Sequence, residues 1–160
     1  MPTRESILNH LAEVTNDNRA LALGWHLAVL LAVLGLILGW RPSRRLAGFL
    51  LALPLASAAA LAGLNHNPFN AVVLGATALT LLLFARRLSR QRVTTAPWWA
   101  GLIGTTLIAL ALIYPEFVRT EETWQFALLA PTGLIPCPSL ALSLGFAITA
   151  GGLGARGWSL

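Results

Sequence analysis

Lysine is missing from this chain altogether, and cysteine, methionine and tyrosine each occur once in 160 residues. Acidic residues number six, and charged residues of both signs make up only 11%. Each shortage excludes something. A single cysteine, Cys137, leaves no internal disulfide and no multi-cysteine zinc site. A charged fraction far below the ~25% of soluble domains excludes an ordinary water-facing surface. What fills the chain instead is apolar: 56% hydrophobic residues and a mean hydropathy of +0.71. Lipid is the solvent these numbers fit. The net charge of +5 is carried by arginine alone. Those arginines sit in short clusters between long apolar runs, which argues against nucleic acid as a partner and for the pattern that orients membrane proteins.

Five apolar runs stand out, at residues 21–40, 46–64, 69–85, 98–114 and 138–155, and none contains Asp, Glu, Lys or Arg. At ~1.5 Å per residue, a helix of such length roughly matches a ~30 Å hydrocarbon core. The fold expected is therefore all-α: a polytopic bundle of five transmembrane helices, with residues 1–160 forming one integral membrane domain and no separate soluble core. The first run is followed, not preceded, by its basic cluster and lacks a small-x-small cleavage site, so it reads as a span and not as a cleaved signal peptide.

The loops set the orientation. Arg41, Arg44, Arg45, Arg86, Arg87, Arg90, Arg92 and Arg156 fall on one side without a single acid. Glu5, Glu13, Asp17, Glu116, Glu121 and Glu122 fall on the other, with Arg4, Arg19 and Arg119. The positive-inside bias then places the arginine-only loops in the cytoplasm. The expectation is a bacterial inner-membrane protein with its N-terminus outside and its C-terminus inside.

Small residues recur at helical spacing: Gly24, Ala28 and Ala32 in the first run, Ala52, Ala56, Ala59 and Gly63 in the second, Gly101, Thr105 and Ala109 in the fourth. Such stripes let backbones approach in lipid, so they are the expected packing faces. Trp25, Trp40, Trp98, Trp99, Trp124 and Trp158 fall near span ends, as an interfacial belt would. Residues 3–18 carry Ile7, Leu8, Leu11 and Val14 at helical spacing, which predicts an amphipathic helix on the outer surface, capped by Thr3. His10 sits at the edge of that stripe and reads as a surface residue.

Residues 115–137 are the least regular part. Residues 124–130 are apolar but too short to cross, and Pro131, Gly133, Pro136 and Pro138 interrupt any helix. This predicts a short helix or re-entrant turn on the outer face, an irregular segment, and a fifth span starting at Pro138. Irregular backbone at that depth must be covered by protein or line a wet cavity.

Two stretches are similar to a known family. Asn65-His66-Asn67-Pro68-Phe69-Asn70-Ala71 opens an apolar run containing Gly75, and Tyr114-Pro115 is followed by Ile135-Pro136-Cys137-Pro138-Ser139 leading into Leu144-Gly145. The pattern resembles an uncharacterised bacterial family of small polytopic membrane proteins with Tyr-Pro and terminal Pro-Cys-Pro-Thr motifs, Ser139 standing where threonine is usual. The resemblance implies membrane topology and singles out the Pro-Cys-Pro element. It implies no reaction.

Candidate chemistry gathers on the predicted outer face. Pro138 at a first helical position would make Cys137 the N-cap of the fifth span, where the dipole favours a thiolate. His66, Asn67 and Glu116 map to the same face, so Cys137, His66, Asn67 and Glu116 form the candidate ligand-binding set, with Cys137 and His66 as candidate ligands for Cu(I) or Zn(II). The plain alternative is a buried cysteine in a proline-rich turn and a hydrogen-bonded loop histidine. His26, inside the first run, is either functional or satisfied by a neighbouring helix. No Ser-His-Asp order, P-loop, dinucleotide fingerprint or His-Glu-x-x-His occurs, so nothing marks an enzyme. Three readings stay open: binding or transport of a small solute or metal near Cys137; a non-catalytic subunit packing on a larger membrane partner or on its own copies; and a membrane enzyme or redox carrier, with His26 and His66 as candidate haem ligands. The last is disfavoured, since neither histidine has an acid–base partner in its own span.

Overall fold

The computed structural model describes residues 4–120 and 122–154. The Thr3 cap, Glu121, residue 155, Arg156 and Trp158 lie outside the described residues. Among those described, the protein is all-helical and has no β-strand: α1 (Arg4–Asp17), α2 (Arg19–Ile37), α3 (Arg44–Leu64), α4 (Pro68–Arg87), α5 (Trp98–Leu112), α6 (Phe126–Leu129) and α7 (Pro136–Thr149), with 3-10 turns before α6 and after α7.

Three helices, α2, α3 and α4, are long and apolar enough to cross a membrane, at 19, 21 and 20 residues. α5 and α7 are apolar but shorter, at 15 and 14 residues. Their ends have local causes. α5 stops at Leu112 because Tyr114 precedes Pro115, and a residue before proline avoids helical backbone. α7 stops at Thr149 because Gly151 and Gly154 turn left-handed, at φ 61° and 66°. At its start, α7 differs from expectation: it begins at Pro136, two residues before Pro138, with extended Ile135 as its N-cap. Cys137 therefore lies inside the first turn and is not the cap. Residues 124–130 form no helix of spanning length; they lie in a 3-10 turn and the four-residue α6.

Two helix pairs form the body. α3 and α4 make an antiparallel hairpin in which Leu55 and Ala58 meet Leu74 and Ala78. A Cβ placed on Gly75 would contact that of Ala59 at 3.9 Å, and one on Gly63 that of Ala71 at 3.8 Å, so the small-residue stripe of α3 does face a helix. α5 and α7 approach more closely. A Cβ on Gly145 would stand 2.7 Å from the Gly104 carbonyl oxygen and 2.8 Å from Ile108 Cγ1, distances no side chain tolerates. The packing face of α5 is thus Ala100, Gly104, Ile108 and Ala111. The expected stripe is wrong here: Thr105 and Ala109 are exposed. An apolar helix has no amphipathic signal to choose among its faces, and the glycines that permit backbone contact decide.

α2 crosses these pairs. Its only buried residues are Ala22 and Val29; Ala22 packs on Leu61, Leu134 and Ile135, and Val29 on Ile108, Ala111 and Leu142. Gly24 and Ala28 are exposed, so the stripe expected there buries nothing tightly.

The helices share two ends. At one, which we call the α1 end, Asn16 Nδ2 donates to the Phe117 carbonyl at 2.8 Å, and Arg19 Nη2 to the Arg119 carbonyl at 2.8 Å. At the other, the arginine end, Arg44 N donates to the Gln91 carbonyl at 2.8 Å and Val93 N to the Pro42 carbonyl at 3.0 Å. The two arginine-rich loops therefore lie together.

Candidate functional site

The α1 end is built around the turn from Pro131 to Ile135. Gly133 takes φ 76°, and a Cβ there would run into the Trp25 indole. Trp25 Nε1 in turn donates to Ser57 Oγ at 3.1 Å. Trp25 thus packs between helices, half-buried, where a belt residue was expected. The turn's polar groups are paired within the protein. Thr132, fully buried, donates to the Ala111 carbonyl at 2.7 Å. Ser139 accepts from Gly133 N at 3.0 Å and donates to the Ile135 carbonyl at 2.6 Å. The irregular backbone is covered by protein, the dry one of the two solutions available at that depth.

His26 closes the same end. Its Nδ1 lies 2.9 Å from the Ala22 carbonyl and its Nε2 3.1 Å from the Leu112 carbonyl. Leu112 ends α5, so its carbonyl lacks a helical donor, and the tautomer protonated at Nε2 supplies one. A neutral imidazole donates only once, so it satisfies one of these carbonyls at a time.

The Asn65-His66-Asn67 stretch is a helix–helix turn. His66 N donates to the Gly63 carbonyl at 3.3 Å and Asn67 N to the Ala62 carbonyl at 2.8 Å, the paired bonds of a Schellman cap. His66 holds its left-handed position, at φ 56°, where glycine is usual. Asn67 then caps α4, accepting from Asn70 N at 3.2 Å, with Pro68 at the first helical position. Asn65 offers its carbonyl to His10 Nε2 at 2.9 Å, so His10 is a tie between α1 and the turn and not a free surface residue.

The sequence-derived ligand set is placed as follows. Cys137 is a free, exposed thiol, and His66 and Glu116 are exposed as well. Tyr114 stands within electrostatic reach of both Cys137 and Glu116. The 65–70 turn and residues 134–136 do meet, across a crevice of about 20 Å³, room for roughly one water. Its lining includes Asn67 but neither Cys137 nor His66. Among the described residues, no three His, Cys, Asp or Glu side chains are grouped to hold a metal ion.

The sizeable cavity lies elsewhere. Between α2, α3 and α7 a groove of about 430 Å³ opens toward the arginine end. Trp25, Ala28, Val29, Ala32 and Leu36 form one wall; Ala47, Leu50, Leu51, Leu142 and Phe146 form the other. Pro54, inside α3, also lines it and has no N–H for the Leu50 carbonyl one turn back. Ser143 of α7 donates to the next carbonyl, Leu51, at 2.8 Å, which pins the two helices beside this break. At the arginine end the groove is bordered by Trp40, Arg41, Thr94 and Thr95. Arg41 Nη1 donates to the Leu36 carbonyl at 2.7 Å, so the guanidinium is held at the mouth by the end of α2. Sequence patterning gave no sign of the groove. The available signals were the proline within an apolar run and the Gly39 that ends α2 at φ 90°.

Comparison of the chain with protein-family models, with curated proteins and with solved structures finds no match. The family resemblance therefore rests on the short motifs of residues 65–71, Tyr114-Pro115 and 135–139 alone.

Proposed function

We propose that the chain is a five-span inner-membrane protein, N-terminus outside, that binds a small, elongated apolar molecule in the groove between α2, α3 and α7. The observation that carries the binding reading is the groove itself. Its volume of about 430 Å³ falls in the ~300–1,000 Å³ range of small-molecule sites, and its walls are apolar with a few polar groups at one end. The alternative of solute or metal binding at Cys137, His66, Asn67 and Glu116 has less support, because the crevice there holds about one water and no three-ligand group is present among the described residues. The spanning of α5 and α7 is supported by their apolar exposed faces, Leu102 and Leu144 among them. It is also supported by the hydrogen-bonded turn that continues them at the α1 end. The arginine partition supports the orientation.

Binding is tested with a solvatochromic apolar dye added to detergent-solubilised protein. One saturable site per chain, lost in Ala47→Phe, is the expected result; dye uptake unchanged by that substitution overturns the reading. Orientation is tested through Cys137, the one thiol. A membrane-impermeant maleimide should label it in intact spheroplasts, and labelling only after permeabilisation reverses the topology.

A further inference from the structure

We infer that the groove takes one acyl chain of an anionic glycerophospholipid from the leaflet at the arginine end, with the phosphate held by Arg41. This rests on the groove-binding reading and adds the identity of the ligand.

Length is the first argument. Along α2 the wall runs from Trp25 to Ile37, about 18 Å at ~1.5 Å per residue. Half of a ~30 Å hydrocarbon core is about 15 Å. The groove is one leaflet deep, so it fits a chain entering from one side and not a molecule that crosses the membrane. Access is the second. Leu50 and Leu53 on its rim are 40% and 46% exposed, so the groove opens sideways to the lipid as well as toward the loops.

Charge is the third argument and selects the headgroup. The groove ends at Arg41, and the loops around that mouth bring Arg44, Arg45 and Arg92 close through the Ser43–Arg92 bridge and the Arg45 N to Ser89 carbonyl bond of 3.3 Å. Neither loop contains an acid. Arg41 commits Nη1 to backbone carbonyls, which leaves its other N–H donors for a ligand. A guanidinium fixed in this way presents a paired donor edge suited to phosphate. The hydroxyls of Thr94 and Thr95 border the same mouth and suit the ester and glycerol oxygens. Anionic lipids are also what a polybasic membrane face attracts.

The test is native mass spectrometry of the full chain released from micelles doped equally with phosphatidylglycerol and phosphatidylcholine of identical acyl chains. The wild type should keep one phosphatidylglycerol at about tenfold preference. Arg41→Gln should bring the two lipids to near parity while an adduct persists. Arg86→Gln, an equal charge loss on exposed α4, should leave the preference intact. Ala32→Phe and, independently, Leu36→Trp should remove both adducts by filling the groove. Equal retention of the two lipids by the wild type overturns the headgroup assignment and leaves groove binding standing. So does an Arg86→Gln effect as large as that of Arg41→Gln. Adducts that survive both groove-filling substitutions overturn the groove reading itself.

Discussion

The α1 end and the arginine end of this bundle are built from the same apolar helices and solve opposite problems. At the α1 end, prolines and a left-handed glycine break the helices, yet Thr132, Ser139 and His26 place a side chain on the carbonyls and amides those breaks release. The result is closed, with a crevice of only about 20 Å³. At the arginine end Gly39, Gly151 and Gly154 also turn left-handed, but there the helices leave about 430 Å³ open between α2, α3 and α7. Irregular sequence therefore does not mark the cavity here. At the α1 end it marks the place where polar side chains close the structure, and the room for a ligand lies along α2, α3 and α7, beside Pro54.

The sharpest way to break this contrast is Gly133→Ala. The new methyl meets the Trp25 indole and forces a left-handed backbone on a residue that resists it. The expected loss is about 2–5 kcal/mol, overpacking and backbone strain together, read as a lower midpoint in chemical unfolding from micelles. A wild-type midpoint would mean that the α1 end is not closed by this contact. Thr132→Val comes next: it keeps shape but strands the buried Ala111 carbonyl, for an expected cost of about 1–3 kcal/mol. His66→Gly should act in the other direction. Glycine suits the left-handed cap position, so stability should rise by about 0.5 kcal/mol; a marked loss would show that the ring makes a contact the turn geometry does not require. Smallest of all, Ala32→Leu should shift stability by less than about 0.5 kcal/mol, because the groove has space for the added carbons. Were it as costly as Thr132→Val, the arginine end would be as tightly packed as the other.

The helices themselves were legible in the sequence because each apolar run is bounded by arginine, proline or asparagine, and α2 to α5 begin within two residues of the expected positions. The short helix of residues 126–129 and the pairing of the two arginine loops were legible for the same reason. Faces were not. With apolar residues on every side, Gly101, Thr105 and Ala109 offered as plausible a stripe as Ala100, Gly104 and Ile108, and only the facing Gly145 on another helix distinguishes them. Of the candidate site, the meeting of the 65–70 turn with residues 134–136 followed from loop topology. The roles of His10, His26 and Trp25 did not, since each depends on a partner between 32 and 86 residues away in the chain. Cys137 misled because Pro138 looked like a first helical position, whereas Pro136 occupies it.

The short pair of helices has a consequence for the membrane around the protein. α5 and α7, with 15 and 14 residues, measure about 22 Å and 21 Å, against roughly 30 Å for α4 at ~1.5 Å per residue. A chain that crosses with all five helices then presents two hydrophobic thicknesses on opposite flanks. Lipid meeting the α5–α7 flank has to thin, or the longer flank has to tilt to match it, at a cost of fractions of a kcal/mol for each ångström of mismatch. Bilayer thickness thus becomes a variable that acts on the protein from one side only, and a thin membrane is the environment in which its two flanks agree.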